Sequence, residues 1–205
     1  MKTLIAIPAM SWVYTDFMQS MLALEKPDAK LMVQCNSLIY DARNNISWAA
    51  IQNGFDRVLW LDSDMQFPAD LLIRLNADMD DNGLDCVAGF YTSRSDNPQP
   101  CIYKDIHWEV KVKDGRVLTS ADPVAECPDS IFEVAGVGFG AVLIKTEMIK
   151  AVVDAFGPPF QPLPFLGEDL AFCWRAGQLG RRMWCDGRIQ IGHIGTHVYR
   201  REDHV

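Results

Sequence analysis

The chain has 205 residues, 49% of them hydrophobic and 22% charged, with a formal net charge of −8. A chain of this length forms one domain, residues 1–205, able to bury roughly 70% of its extended surface. Its acidic balance excludes a nucleic-acid surface and a polybasic membrane patch, and no run approaches the ~18 apolar residues of a membrane span.

The apolar run Leu4 to Ile7 reads as a first strand stopped by Pro8. It is too short for a signal-peptide core, so a cytoplasmic protein is expected. Cys35, Cys86, Cys101, Cys127, Cys173 and Cys185 are scattered without a C-x-x-C pair and read as reduced thiols, several of them core packing. Tyr14 to Leu24 has helical spacing, Leu31 to Cys35 is a second strand, and Ala42 to Phe55 is a helix closed by Asn53-Gly54. Val58 to Leu61 is a third strand. Pro68 begins a helix continued by Leu71, Leu72 and Leu75, and Val87 to Phe90 is a fourth strand. This β-α-β-α-β-α-β order predicts a doubly wound, largely parallel sheet with flanking helices.

The alternation then breaks. Ile106, Trp108, Val110 and Val112 have a period of two, and Lys113-Asp114-Gly115-Arg116 is a turn, so a small antiparallel hairpin is expected. Ala141 to Ile144 is a strand, Thr146 to Phe156 a helix, and residues 157–164 a proline-rich loop. Glu168 to Leu179 is a helix ended by Gly180. Arg182 to Cys185 and Ile189 to Ile191 are two short strands.

Chemistry concentrates at a few places. Asp62-Ser63-Asp64 follows a wholly apolar strand, and the C-terminal ends of such strands line the ligand crevice of an open α/β sheet. Two carboxylates there repel each other unless a cation lies between them, and oxygen ligands favour Mg2+ or Mn2+. Capping or loop acids are the alternative. Glu168 and Asp169 open a helix, where acids suit the macrodipole; the functional reading is a general base. The dipole lowers such a carboxylate's pKa, whereas burial against Phe165, Phe172 or Trp174 raises it. His193 lies between two glycines after a strand and is preferred over His197 as a late metal ligand. Arg43 and Asn44, expected in the first turn of their helix, either face solvent or contact a nucleotide phosphate or base. Gly136-Val137-Gly138-Phe139-Gly140 lacks the G-x-G-x-x-G spacing, so a dinucleotide fingerprint is rejected; close approach to a sugar and simple strand packing stay open. Trp12, Tyr91 and Trp108 are candidate stacking rings or core.

Taken in order, these pieces resemble the GT-A glycosyltransferases, specifically the family 2-like group. The likeness rests on the strand ending in Pro8, on Ala42-Arg43-Asn44, on Leu59-Trp60-Leu61-Asp62-Ser63-Asp64 as the "DxD", on Val137 to Ile144, on Gly167-Glu168-Asp169 as the "ED", and on Gly192-His193-Ile194-Gly195. The resemblance implies a hexosyltransferase-like enzyme with Mn2+ or Mg2+ and a nucleoside-diphosphate sugar, a UDP- or GDP-sugar, bound near Pro8, Arg43, Asp62, Ser63 and Asp64. It implies Asp64 and His193 as metal ligands, with Asp62 on ribose or metal. Asp169 is implied as the base of an inverting transfer to a carbohydrate or other hydroxyl, with Glu168 assisting the acceptor. Asn36 and Ser37 stand where many relatives carry a uracil-contacting acid. No membrane anchor or acceptor domain is expected, so acceptor specificity falls to the hairpin near Trp108 and the proline-rich loop. The alternatives are a haloacid-dehalogenase-like phosphatase, which also uses Asp-x-Asp, and a non-catalytic nucleotide- or sugar-binding protein on the same fold.

Overall fold

The computed structural model describes residues 1–95, 97–107, 112–113, 116–117 and 121–195. The first half contains β1 (Thr3–Ala9), α1 (Thr15–Ala23), β2 (Ala29–Cys35), α2 (Ile39–Gln52), β3 (Arg57–Leu61), β4 (Met65–Gln66), α3 (Leu71–Asn82) and β5 (Cys86–Phe90). Then follow β6 (Ile102–Ile106), β7 (Val112–Lys113), β8 (Arg116–Val117), β9 (Ala121–Pro123), β10 (Ile131–Val134), β11 (Gly136–Val137) and β12 (Ala141–Lys145). The chain continues with α4 (Thr146–Phe156), α5 (Glu168–Gln178), β13 (Met183–Gln190) and β14 (Gly192–His193).

Seven strands form the central sheet in the order β10-β13-β5-β12-β3-β1-β2. The strands β1, β2, β3, β5 and β13 run one way, whereas β12 and β10 are antiparallel to their neighbours. The strands β3 and β5, joined by α3, are separated by β12, which pairs with both. The sheet is mixed but mostly parallel.

Each central strand is buried on both faces, which is why its sequence is an unbroken apolar run. Along β3, Val58 and Trp60 join one core while Leu59 and Leu61 join the other. The same alternation splits Leu4 and Ala6 from Ile5 and Ile7 in β1. Ile46 of α2, Met148 and Val152 of α4, and Phe172 of α5 close the first core. Phe17 of α1 and Leu72, Leu75 and Met79 of α3 close the second. The result is a three-layer α/β/α arrangement.

Several expected boundaries move. β1 runs through Pro8 to Ala9 instead of stopping there. Its pairing with β3 ends at Ala6, and beyond that point Pro8 pairs only with β2, so the missing N–H is tolerated. α2 starts three residues early, after an extended Leu38, which moves Arg43 out of the first turn and into the helix body. α3 starts at Leu71 rather than Pro68, whose carbonyl instead accepts the Leu71 N–H in a preceding turn. The two short strands expected near the end are one strand, β13, with an irregular register between Asp186 and Gln190. The expected hairpin is present in its described ends, Val112–Lys113 against Arg116–Val117. Trp108 and His197 lie outside the described residues.

Candidate active site

The C-terminal edge of the parallel strands gathers the polar residues. Asp62 follows β3, and its N–H donates to the Gly140 carbonyl at the start of β12 (3.1 Å). From α2, Arg43 reaches over to the same place: Nη2 lies 2.8 Å from Asp62 Oδ1 and Nε lies 3.4 Å from Glu168 Oε1. Arg43 is 1% exposed. Its guanidinium sits 5.3 Å from the Phe139 ring, 5.5 Å from Trp60 and 6.0 Å from Phe160. Burial opposes its charge, but Asp62, Glu168 and Asp169 outweigh burial and raise its pKa. A residue enclosed in this way is neither a solvated surface charge nor placed to meet a nucleotide phosphate directly. It clamps two carboxylates from opposite ends of the sequence. Asn44, beside it, accepts the Phe160 N–H through Oδ1 at 2.9 Å and so anchors the proline-rich loop.

The second acid faces a different set. Asp64 Oδ2 is 3.0 Å from Arg94 Nη1 and 3.6 Å from His193 Nε2. Two short strands create this meeting. β4 and β14 pair antiparallel, with His193 opposite Met65, and Ile194 N–H donates to the Asp64 carbonyl at 2.8 Å. His193 Nδ1 is 2.8 Å from the Thr92 carbonyl. A carbonyl only accepts, so Nδ1 carries the proton and Nε2 is directed at Asp64 with a proton or a metal ion between them. Burial works to raise the Asp64 pKa, but the His193 hydrogen bond and the Arg94 charge overcome it and hold the carboxyl below its ordinary value.

The ring of Tyr91 packs edge-on against His193 at 5.4 Å, and its hydroxyl accepts the Gly140 N–H at 3.2 Å. A Cβ at Gly138 would collide with that hydroxyl, and one at Gly140 would lie 2.9 Å from the same ring. The glycine run therefore serves strand packing around Tyr91, and Tyr91 is core rather than a stacking platform. Trp12, by contrast, is exposed and packs edge-on against Tyr14.

Glu168 and Asp169 open α5 as expected. Asp169 Oδ1 accepts the Leu170 N–H at 2.7 Å. Burial first and the neighbouring Glu168 charge second push its pKa up to about 6, against the opposing pull of that hydrogen bond and of Arg43. Burial also raises Asp62, with Arg43 opposing. At Asp169 burial outweighs the Leu170 hydrogen bond and Arg43, which pull the other way.

A cleft of about 200 Å³ opens at this edge, lined by Pro8, Ala9, Ser37, Asp62, Ser63 and Asp64 among others. Pro8, Ser63 and both aspartates thus share one cavity, while Arg43 stands behind its wall. From sequence Ser37 is read, with Asn36, as standing where many relatives carry a uracil-contacting acid, not as a binding residue itself. Its Oγ is buried without a hydrogen-bond partner among the described residues, and an ordinary Ser after a strand carries no signal of that. Arg94 was missed for a similar reason: it sits on a loop, and only the fold brings it to Asp64.

As for the implied cation, no three His, Cys, Asp or Glu side chains converge among the described residues. Asp64 and His193 come together; Asp62 Oδ1 is turned to Arg43. A two-residue site of one carboxylate and one imidazole with a fixed tautomer fits Mn2+ or Mg2+ completed by ligand oxygens and water. All six cysteines are free, and three of them are buried. No helix among the described residues is long and apolar enough to cross a membrane.

No family model matches the sequence, and no curated protein matches it. Solved structures do. "A197 from STIV" superposes with a TM-score of 0.64 at 19% identity, covering 100% of both chains. GalNAc-T7, solved with UDP, GalNAc and Mn2+, superposes with a TM-score of 0.64 at 12% identity, covering 96% of this chain and 43% of its own. The chain thus spans less than half the length of that enzyme. GalNAc-T7 is a GT-A glycosyltransferase, and the likeness shows a GT-A-like fold; it does not single out family 2.

Proposed function

We propose that the protein is a metal-dependent glycosyltransferase that moves a sugar from a UDP- or GDP-sugar to an acceptor hydroxyl with inversion. The observation that carries the reading is the Asp64–His193 pair, its tautomer set by Thr92, at the rim of the cleft lined by Asp62 and Asp64, with the partly buried Asp169, of raised pKa, near Arg43 and Asp62. In this reading the donor lies along Pro8, Ser63 and Ser37, with the Ser37 hydroxyl, which has no hydrogen-bond partner among the described residues, toward the nucleobase or ribose.

Asp64 and His193 hold the cation, which when bound offsets charge on the leaving diphosphate. Arg94, half-exposed and already on Asp64 Oδ2, is displaced to the diphosphate oxygens as the donor enters. Asp62 keeps one oxygen on Arg43 and offers the other to ribose or metal.

Asp169 takes the proton of the acceptor hydroxyl. The freed oxygen forms a bond to the anomeric carbon as that carbon's bond to the phosphate oxygen breaks, and the nucleoside diphosphate leaves with the electron pair. A carboxyl with a pKa near 6 is ionised at neutral pH yet more basic than an ordinary aspartate, which suits this task. Arg43 does not touch substrate here; it fixes Glu168 beside Asp169 and Asp62 beside the donor.

Nucleotide release tests the reading. Incubation of UDP- and GDP-sugars with Mn2+ and an acceptor mixture should release UDP or GDP, with the release abolished by EDTA and by Asp169→Asn. Phosphate release from phosphomonoesters without such turnover would favour the phosphatase instead.

A further inference from the structure

The proline-rich loop between α4 and α5 carries Pro158, Pro159, Pro162 and Pro164. Proline has no N–H to give, so such a segment cannot tie itself down with a backbone ladder and must take partners from elsewhere. Two buried side chains supply them. Asn44 of α2, 8% exposed, accepts the Phe160 N–H at 2.9 Å. Arg175 of α5, 6% exposed, donates through Nη1 to the carbonyls of Pro159 (3.2 Å) and Gln161 (2.7 Å). Three consecutive loop residues are thus held from two helices.

Arg175 is costly in this place. Burial lowers its pKa, and among the described residues no carboxylate pairs with it. A buried cation met only by carbonyls is a poor stabiliser of a fold. What it secures is Phe160, whose ring is fully buried. That ring stacks on Phe172 at 4.8 Å and meets Trp60 and Phe139 edge-on at 5.2 and 5.1 Å. Together Trp60, Phe139 and Phe160 form the cage around the Arg43 guanidinium. Trp60 belongs to β3 and Phe139 to the turn entering β12, whereas Phe160 is placed by the loop.

Asn44 and Arg43 are neighbours on α2, so one turn of helix holds both the loop and the carboxylate clamp. With the cage closed, water is kept from the guanidinium, and its pairing with Asp62 and Glu168 acts at low dielectric, where it is strongest. The loop also leads into Gly167, the N-cap of α5, and so sets where Glu168 and Asp169 begin. We propose that Asn44 and Arg175 are positioning residues: they latch the loop at Pro159–Gln161, so that Phe160 closes the cage and keeps Arg43 on Asp62 and Glu168. Neither touches substrate. The catalytic consequence rests on the reading of Asp169 as the base.

Exchange of the Arg43 Nε–H and the Phe160 N–H with solvent, followed by heteronuclear NMR on nucleotide-free protein, tests the latch without any turnover. Arg43→Lys identifies the Arg43 signal by its loss. Asn44→Ala should speed both exchanges about tenfold, with the amides of β1 and β3 as protected as in the wild type. Asn44→Asp keeps an acceptor oxygen and should restore the Phe160 protection. Arg175→Met removes the buried charge while filling its space, so it should fold and yet speed both exchanges. In Asn44→Ala and Arg175→Met, kcat for nucleotide release should fall about tenfold, while KM for the sugar nucleotide changes by about threefold at most. Faster Phe160 exchange with an unchanged Arg43 signal, uniform acceleration across β1 and β3, or an undiminished kcat would overturn the proposal, since each makes the loop contacts purely structural. A wild-type protein that shows the expected exchange pattern but turns over no sugar nucleotide would leave the latch standing and sink the transferase reading.

Discussion

Arg43 joins Asp62 by a 2.8 Å ion pair in which the guanidinium is 2% exposed and the carboxylate 26%. The buried partner thus props a group at the cleft rim, while its Nε holds Glu168. Removing one member of a buried pair strands the other's charge. Arg43→Ala should lower unfolding free energy by about 3–5 kcal/mol in urea titrations. Arg43→Lys, a point charge that cannot fork to both carboxylates, should fold but lose turnover. A change within about 0.5 kcal/mol, typical of an ordinary surface residue, would contradict the clamp.

Asp169 gives opposed predictions for activity and stability. As the base it must be ionised, so kcat/KM should fall as pH drops through about 6. Its folded pKa is raised above an unfolded value of about 3.9. The native state therefore holds the proton more tightly, and ionisation destabilises it progressively from about pH 4 upward, fully so above about 6. Asp169→Asn should abolish turnover yet raise stability at pH 8 by on the order of 2 kcal/mol, with little gain at pH 4. Equal effects at both pH values would refute burial as the cause.

Arg94 occupies Asp64 Oδ2, the atom proposed to meet the cation. With no competing guanidinium, Arg94→Ala should bind Mn2+ about two- to fivefold more tightly in nucleotide-free titrations followed by electron paramagnetic resonance, the range expected for a partly exposed pair. Once nucleotide is added, the same variant should release its product more readily. Unchanged metal affinity would mean that Arg94 and the cation do not share the atom.

Tyr91 fills the space left by Gly138 and touches His193. Gly138→Ala should cost about 1–3 kcal/mol by overpacking and weaken Mn2+ binding, although no ligand is changed. Normal metal binding in a destabilised variant would uncouple the ring from the histidine.

Much of this was legible in the chain. The Asp62-Ser63-Asp64 run announced itself because Val58 to Leu61 is buried on both faces and so carries no polar interruption before the acids. The glycines around His193 marked a place of close backbone approach, since a Cβ at Gly192 would lie 3.3 Å from Gln66 in the two-residue ladder of β14 on β4, the ladder that sets His193 beside Asp64. The insertion of β12 between β3 and β5 was not legible, because pairing between distant strands leaves no local trace. Arg43 was read as surface or phosphate contact, since its enclosure comes from Trp60, Phe139 and Phe160, remote in sequence. β13 looked like two strands because Asp186-Gly187-Arg188 breaks the apolar run; Gly187 is required where its neighbour Pro128 leaves no room for a side chain. Pro164 signalled a loop, but nothing local signalled that Phe165 would take the left-handed position.

The central claim is a cation and a nucleoside diphosphate held jointly at Asp64 and His193. Calorimetric titration of UDP, GDP and CDP into the wild-type, Asp64→Ala and His193→Ala proteins, with Mn2+ and with EDTA, tests it most directly. The account predicts that one nucleotide binds with Mn2+, that EDTA abolishes the binding, and that each substitution weakens it at least tenfold. Binding that is indifferent to metal and to both substitutions, or no binding of any nucleotide to the wild-type protein, would contradict it.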